Sequence, residues 1–285
     1  MRSNPLPSDI AAKSVVAPPR RLCWWPIVLL GILILLGIAA LGWNRSTWDR
    51  AVRQLKDAGF KRPGDDATLG QRWLAFFFDP KTGRRETIQW QIRGEPAGKL
   101  RNLDAIFPAL QRINPEVLIL WECPALENLN GFKGLTALRT LVLCDATTLR
   151  DIDALADLKT LEKLHIGGNS GELRNIDGLR RLHAVRSLEL QSCPALINAD
   201  ALKELTSVRE LNLVNCPALE TLDGLEGLSE LTWIDVHACR ALKNIAAIRR
   251  LPKLGTVILG GCPKLPPEEI AALKAAIPTV RIEHW

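Results

Sequence analysis

The sequence predicts an α/β repeat fold: a solenoid on a curved parallel β-sheet, with short turns or 3₁₀ segments on the convex side, preceded by one N-terminal transmembrane helix. Three observations carry this expectation. An apolar-x-apolar triplet begins at Leu118, Leu141, Leu164, Leu188, Leu211, Ile234, Val257 and Val280, in steps of 23, 23, 24, 23, 23, 23 and 23 residues. Such a period marks stacked supersecondary units, none of which can bury its apolar face alone. Between triplets the leucines recur at every third position, as at Leu219, Leu222, Leu225, Leu228 and Leu231, a spacing that suits 3₁₀-like turns better than the three-and-four alternation of an α-helix. Finally, Leu22 to Trp43 reads LCWWPIVLLGILILLGIAALGW, without a charge.

Residues 1–21 are rich in Pro and Ser and poor in large apolar side chains, the composition of a disordered tail. The 22–43 segment follows. As a helix it would extend about 33 Å, enough for a hydrocarbon core of about 30 Å. Trp24, Trp25, Trp43 and Trp48 sit where indoles favour the headgroup layer. A cleaved signal peptide is the competing reading, because Ala40-Leu41-Gly42 offers small residues at a peptidase spacing. Arg20 and Arg21, set against the apolar run, favour a cytoplasmic N-terminus and an exported main domain. Leu and Ala dominate while Tyr is absent and Met occurs once, as suits a GC-rich bacterial gene, so the expected location is the bacterial inner membrane, single-pass, with the main domain periplasmic. Arg45, Arg50, Arg53 and Lys56 on the far flank leave the cytoplasmic orientation open.

Residues 44–99 read as an N-terminal cap. Ser46 or Thr47 starts an amphipathic helix carrying Trp48, Val52 and Leu55 and ending near Gly59. A β-hairpin then joins 73–78 to 87–92 through Asp79-Pro80-Lys81-Thr82-Gly83. The repeats occupy 100–265, the stretch 100–113 being a degenerate first unit with Leu103, Ile106, Leu110 and Ile113. The C-terminal cap, 266–285, opens a helix at Pro267, closes it at Pro278, and buries Ile270, Leu273 and Ile277 before a last strand with Val280 and Ile282.

The unit CPALETLDGLEGLSEL, residues 216–231, resembles the cysteine-containing and short bacterial classes of the leucine-rich-repeat family. LDGLEGL is also similar to the short repeats of internalins and of phosphatase regulatory subunits. The resemblance spans 118–282 and implies the solenoid. It leaves function open, because the family binds proteins, carbohydrates and lipids. It also implies an inward side chain at Cys123, Asn169, Cys193, Cys216, Cys239 and Cys262 that satisfies backbone groups, with Ala146 breaking the pattern in the second repeat. Parallel neighbours about 4.8 Å apart are poorly placed for disulfides, so free buried thiols are expected. Cys144 falls one residue past an inward leucine and should face solvent as the reactive thiol. Cys144 and His165 lack further ligands, and no metal or cofactor is expected. The Gly167-Gly168-Asn169-Ser170-Gly171 run reads as the turn that absorbs the one inserted residue.

Outward strand positions form the binding surface of a solenoid. Along the first rungs they expose Ile119, Trp121 and Val142, either as an apolar interface or as a face covered by the upstream cap. Farther along lie His165, Glu189, Glu210, Asn212, Trp233, Asp235 and His237. Asp235 and His237 read as a solvated pair or as a pH-sensitive one. A tryptophan-centred patch beside an acidic and polar strip suits a protein or peptide ligand. Setting aside Arg2, Lys13, Arg20, Arg21 and Asp9 leaves 33 basic against 30 acidic side chains, too small an excess for nucleic acid. No nucleophile with its base, metal cluster or phosphate loop stands at a useful spacing. The expected function is therefore non-enzymatic: a membrane-anchored protein-binding module, with no small-molecule substrate inferred. A structural subunit of an envelope complex and a cytoplasmic-facing adaptor are the alternatives.

Overall fold

The structure, a computed structural model, describes residues 47–61, 89–92, 101, 103–168 and 170–285. The tail, the 22–43 segment, the 73–78 hairpin arm and Asn169 lie outside them. Among the described residues no helix is long and apolar enough to cross a membrane.

Helix α1, 47–57, follows the expected stripe, burying Ala51 and Leu55, with Phe60 beyond its end. Gly59 at φ 89° ends it in the left-handed conformation that glycine adopts without a Cβ penalty. The N–H of Phe60 then donates back to the Leu55 carbonyl at 2.9 Å.

The described strands form one nine-stranded sheet in chain order, every pair parallel. They are β1 (Gln89–Ile92), β2 (Val117–Leu120), β3 (Thr140–Cys144), β4 (Lys163–Gly167), β5 (Ser187–Leu190), β6 (Glu210–Asn212), β7 (Trp233–Asp235), β8 (Thr256–Ile258) and β9 (Arg281–Glu283). Register runs through Leu118, Leu141, Leu164, Leu188, Leu211, Ile234 and Val257, each no more than 1% exposed. Alternation sends these residues into a shared core while their neighbours face outward.

At both ends the sheet departs from the triplet count. Gln89–Ile92, expected as a hairpin arm, is the first parallel rung, with Trp90 opposite Leu118 and Ile92 opposite Leu120. The longer step accommodates α2, Phe107–Ile113, which buries Ala109, Leu110 and Ile113. Its C-cap Asn114 accepts the N–H of Ala137 at 3.0 Å and donates to the Thr136 hydroxyl at 3.1 Å, tying this turn to the next. At the other end Val257 pairs with Ile282, not Val280. The last step is two residues longer than counted, so Glu283, not Arg281, stands opposite Ile258. Helix α3, Pro267–Ala276, replaces the short convex turn and uses the extra chain. Leu273 is fully buried, with Ile270 and Ile277 packed beside it, as their spacing predicts.

On the other side of the core the strict threes form 3₁₀ turns at Asn130–Phe132, Asp153–Asp157, Asp177–Leu179, Asp200–Leu202 and Ala246–Arg250. Most are preceded by a side-chain oxygen that accepts an N–H two residues on. Asn128 does so for Asn130 at 3.1 Å, Asn175 for Asp177 at 2.7 Å, Asn198 for Asp200 at 3.3 Å and Asn244 for Ala246 at 2.7 Å. This local side-chain turn supplies an acceptor where the backbone leaves none.

The six described cysteines are free. Cys216, Cys239 and Cys262 donate to the carbonyls of Leu190, Leu213 and Val236, one rung back, at 3.2, 3.1 and 3.3 Å. Cys123 and Cys193 donate instead within their own turns, to Trp121 at 3.4 Å and Gln191 at 3.6 Å. Cys144 contradicts its expected exposure. It faces outward from the core but is only 5% exposed, packed in a second apolar cluster with Val117, Ile119 and Val142, against which Trp121 rests. Burial first, then the Asp145 charge, pushes its thiol up to about 12, and the same two causes do so for Cys123. Cys216 is raised as well, by its hydrogen bond with Cys193 first and burial second. Thiolate is the reactive form. In a Cys23→Ser background at neutral pH, a thiol probe followed by peptide mass mapping is therefore expected to reach half-buried Cys262 first and Cys144 only on unfolding. Rapid labelling of Cys144 in the native state would show that the second cluster is open.

Candidate partner-binding site

Strands β4 to β7 and the turns behind β2 and β3 enclose a concavity of about 690 Å³ on the outward face of the sheet. Trp121 and Trp233 stand among its lining residues, with His165, Glu189, Glu210 and Asn212. The sheet register explains how residues so far apart in sequence meet. His165 lies opposite Glu189, Glu189 opposite Asn212, and Glu210 opposite Trp233, each pair about 4.8 Å apart across the ladder and on one face.

The polar floor is ordered by its own hydrogen bonds. The Glu189 carboxylate accepts the Gln191 amide at 2.8 Å and lies 3.0 Å from His165 Nδ1 on the same oxygen, Oε2. These side chains are mostly enclosed, with His165 12% and Glu189 18% exposed. Glu210 takes one longer bond, from the Ser187 hydroxyl at 3.3 Å. Gly167 makes room for the imidazole: a Cβ there would lie 2.8 Å from His165 Nε2. At Gly168, φ is +69° and a Cβ would lie 2.5 Å from the Asp145 carboxylate. Burial first and the charge of Glu122 second hold Asp145 above the usual carboxylate range.

Six of the residues singled out from the sequence thus share one concavity. The others do not join it. Ile119 and Val142 are 3% and 2% exposed; they back Trp121 in the second cluster and present no surface, a correction to their reading as contact residues. Asp235 and His237 fall outside the lining. Asp235 accepts the His237 N–H at 2.9 Å, with His237 Nδ1 3.3 Å from the same oxygen, so the carboxylate closes the turn after β7. Asn212 accepts the Val214 N–H at 3.0 Å in the same way after β6, while still lining the site. Cys144, Gly168 and Leu188 also line it, as do Asp145, Ser187 and Gln191, three polar residues not among the predicted contacts. Gln191 and Ser187 occupy outward columns and were legible there, whereas Asp145 enters through a left-handed turn residue, φ 57°.

The lining offers Asp145, Glu189 and Glu210 against one imidazole and no lysine or arginine. Such a floor favours cationic over anionic ligands. Among the described residues no group of three His, Cys, Asp or Glu is placed to hold a metal ion.

Parallel rungs in unbroken order, a register of 23 residues through most of the stack and thiols bonded to the preceding rung describe one architecture. The chain folds as a solenoid of stacked parallel rungs around a core of leucines. No protein-family profile and no curated protein matches it. Solved structures do. Internalin C2 of Listeria monocytogenes shares 18% identity over 63% of this chain and 84% of its own, with a TM-score of 0.45. An internalin (inlF) of the same organism shares 16% over 62% of this chain and 65% of its own, at 0.37. The leucine-rich-repeat domain of the type III effector XopL shares 21% over 85% and 93%, at 0.48.

Proposed function

We propose that this chain is a membrane-anchored, non-enzymatic binding protein that takes up a segment of a protein or peptide on the outward sheet face spanned by β4 to β7. The observation behind this reading is the concavity itself: two partly exposed indoles beside an ordered, acidic floor. Tryptophans in such settings contribute much of an interface's binding energy, while the surrounding contacts exclude water. The anchor is the 22–43 segment, by its length and aromatic ends.

A periplasmic orientation would expose the domain to oxidants, which ordinarily favours disulfides. The described thiols tolerate this because all but half-buried Cys262 are enclosed, all but Cys144 donate to backbone carbonyls, and Cys123, Cys144, Cys216, Cys239 and Cys262 are raised in pKa. Nucleophilic thiolate is scarce in such settings.

The test places a benzoylphenylalanine photo-crosslinker at Asn212 in the full chain, in its native membranes. The expected result is one discrete cross-linked polypeptide, lost with Trp233→Ala and retained with His183→Ala, a change remote from the face. No cross-link, or one indifferent to Trp233, overturns the binding site. Recovery of the full chain in the soluble fraction after carbonate washing overturns the anchor.

A further inference from the structure

We infer that the concavity is built for an arginine side chain of an extended partner segment, its guanidinium paired with Glu210 and laid flat against Trp233. The inference rests on the binding function proposed above and specifies its ligand chemistry. The floor's carboxylates are not equivalent. Glu189 is anchored by Gln191 and His165 on one oxygen, so its geometry is set by the protein. Glu210 is exposed and holds a single long bond from Ser187, and among the described residues it has no cationic partner. Its register neighbour on the next strand is Trp233, whose half-buried indole faces the same space.

A carboxylate and an indole one ladder spacing apart, about 4.8 Å, match what a guanidinium does in a single pose. Its planar fork gives two parallel N–H bonds to the carboxylate while its weakly hydrated face stacks on the ring. A lysine ammonium is a compact, strongly hydrated point charge and cannot do both. The ligand carrying the arginine is taken as a polypeptide because the lining continues over four rungs, from β4 to β7, a span of about 14 Å that roughly four extended residues cover. Glu189 then adds long-range attraction for the same positive charge.

The experiment selects random dodecapeptides displayed on phage against the full chain in detergent and measures the winners by calorimetry. The expected peptides contain arginine. Replacing that arginine by citrulline, which keeps the shape and removes the charge, should weaken binding roughly thirtyfold, and lysine should restore little of it. Glu210→Gln should produce a similar loss, Trp233→Leu about a fivefold one, and His183→Ala none, with circular dichroism confirming that each variant is folded. Peptides that bind this face, as shown by weakening with Trp233→Leu, yet bind equally with citrulline would overturn the arginine inference and leave the binding function standing. Absence of any peptide on the face would overturn both. A dimer in solution that Glu210→Gln splits would assign the face to a second copy of the chain and overturn the inference.

Discussion

Gly178→Ala is expected to destabilise the folded domain by about 3 kcal/mol, although the neighbouring repeats carry alanine at the corresponding position. The positions Gly131, Ala154, Gly178, Ala201, Gly224 and Ala247 form one column on the convex side, alternating glycine and alanine. At Gly178 a Cβ would lie 2.1 Å from the Ile152 carbonyl oxygen and 2.8 Å from the Asp153 Cα. At Gly224 it would lie 2.6 Å from the Ala199 carbonyl. Those neighbours are backbone, which cannot rotate away as a side chain would. The extra methyl must therefore push two turns apart, and overpacking of this kind costs roughly 1 to 3 kcal/mol or more. The converse change, Ala201→Gly, should cost about 1 kcal/mol or less, through backbone freedom and a lost methyl. Urea unfolding followed by circular dichroism compares the two. A Gly178→Ala midpoint equal to that of the parent would mean that successive convex turns are not in contact.

Leu211→Ala should cost about 3 to 4 kcal/mol, within the usual span for a fully buried leucine whose cavity collapses only in part. Leu211 is unexposed in β6 and stands in register between Leu188 and Ile234. In a solenoid each rung touches only its neighbours, so stability is close to a sum of rung and interface contributions. A central truncation weakens two interfaces. Ile282→Ala in β9, half-buried and with one neighbouring strand, should cost only about 1 to 2 kcal/mol by the same reasoning. Equal losses at the two positions in denaturant titrations would contradict this nearest-neighbour picture. A pulse-proteolysis time course on Leu211→Ala should also show cleavage beginning within the central rungs.

The interior of the stack was legible because one repeat determines its own local structure. Alternation in Leu211-Asn212-Leu213 and the threes from Leu219 to Leu231 state which side chains turn inward, whatever lies on either side. Repetition then checks the register several times over. For the same reason the outward columns could be read, and six of the site residues were named from them. The sheet's ends lacked that check. β2 and β9 each follow a helix instead of a short turn, so the period no longer measures the path, and Ile282 replaced Val280 opposite Val257.

The sequence by itself determined the repeat, its inward leucines, its free thiol ladder and the identity of the outward-facing columns, since these follow from chain periodicity and side-chain alternation. Only the tertiary structure decided which outward residues remain available. Alternation states that Ile119, Val142 and Cys144 leave the main core on the same side as Glu189, but not what packs over that side. Nor does it say that Asn212 and Asp235 spend an oxygen on the turn after their strand, or that Asp145 reaches the concavity from a left-handed corner. Direction is a local property of the backbone, whereas exposure depends on every segment that comes near, and that is settled only when the chain is folded.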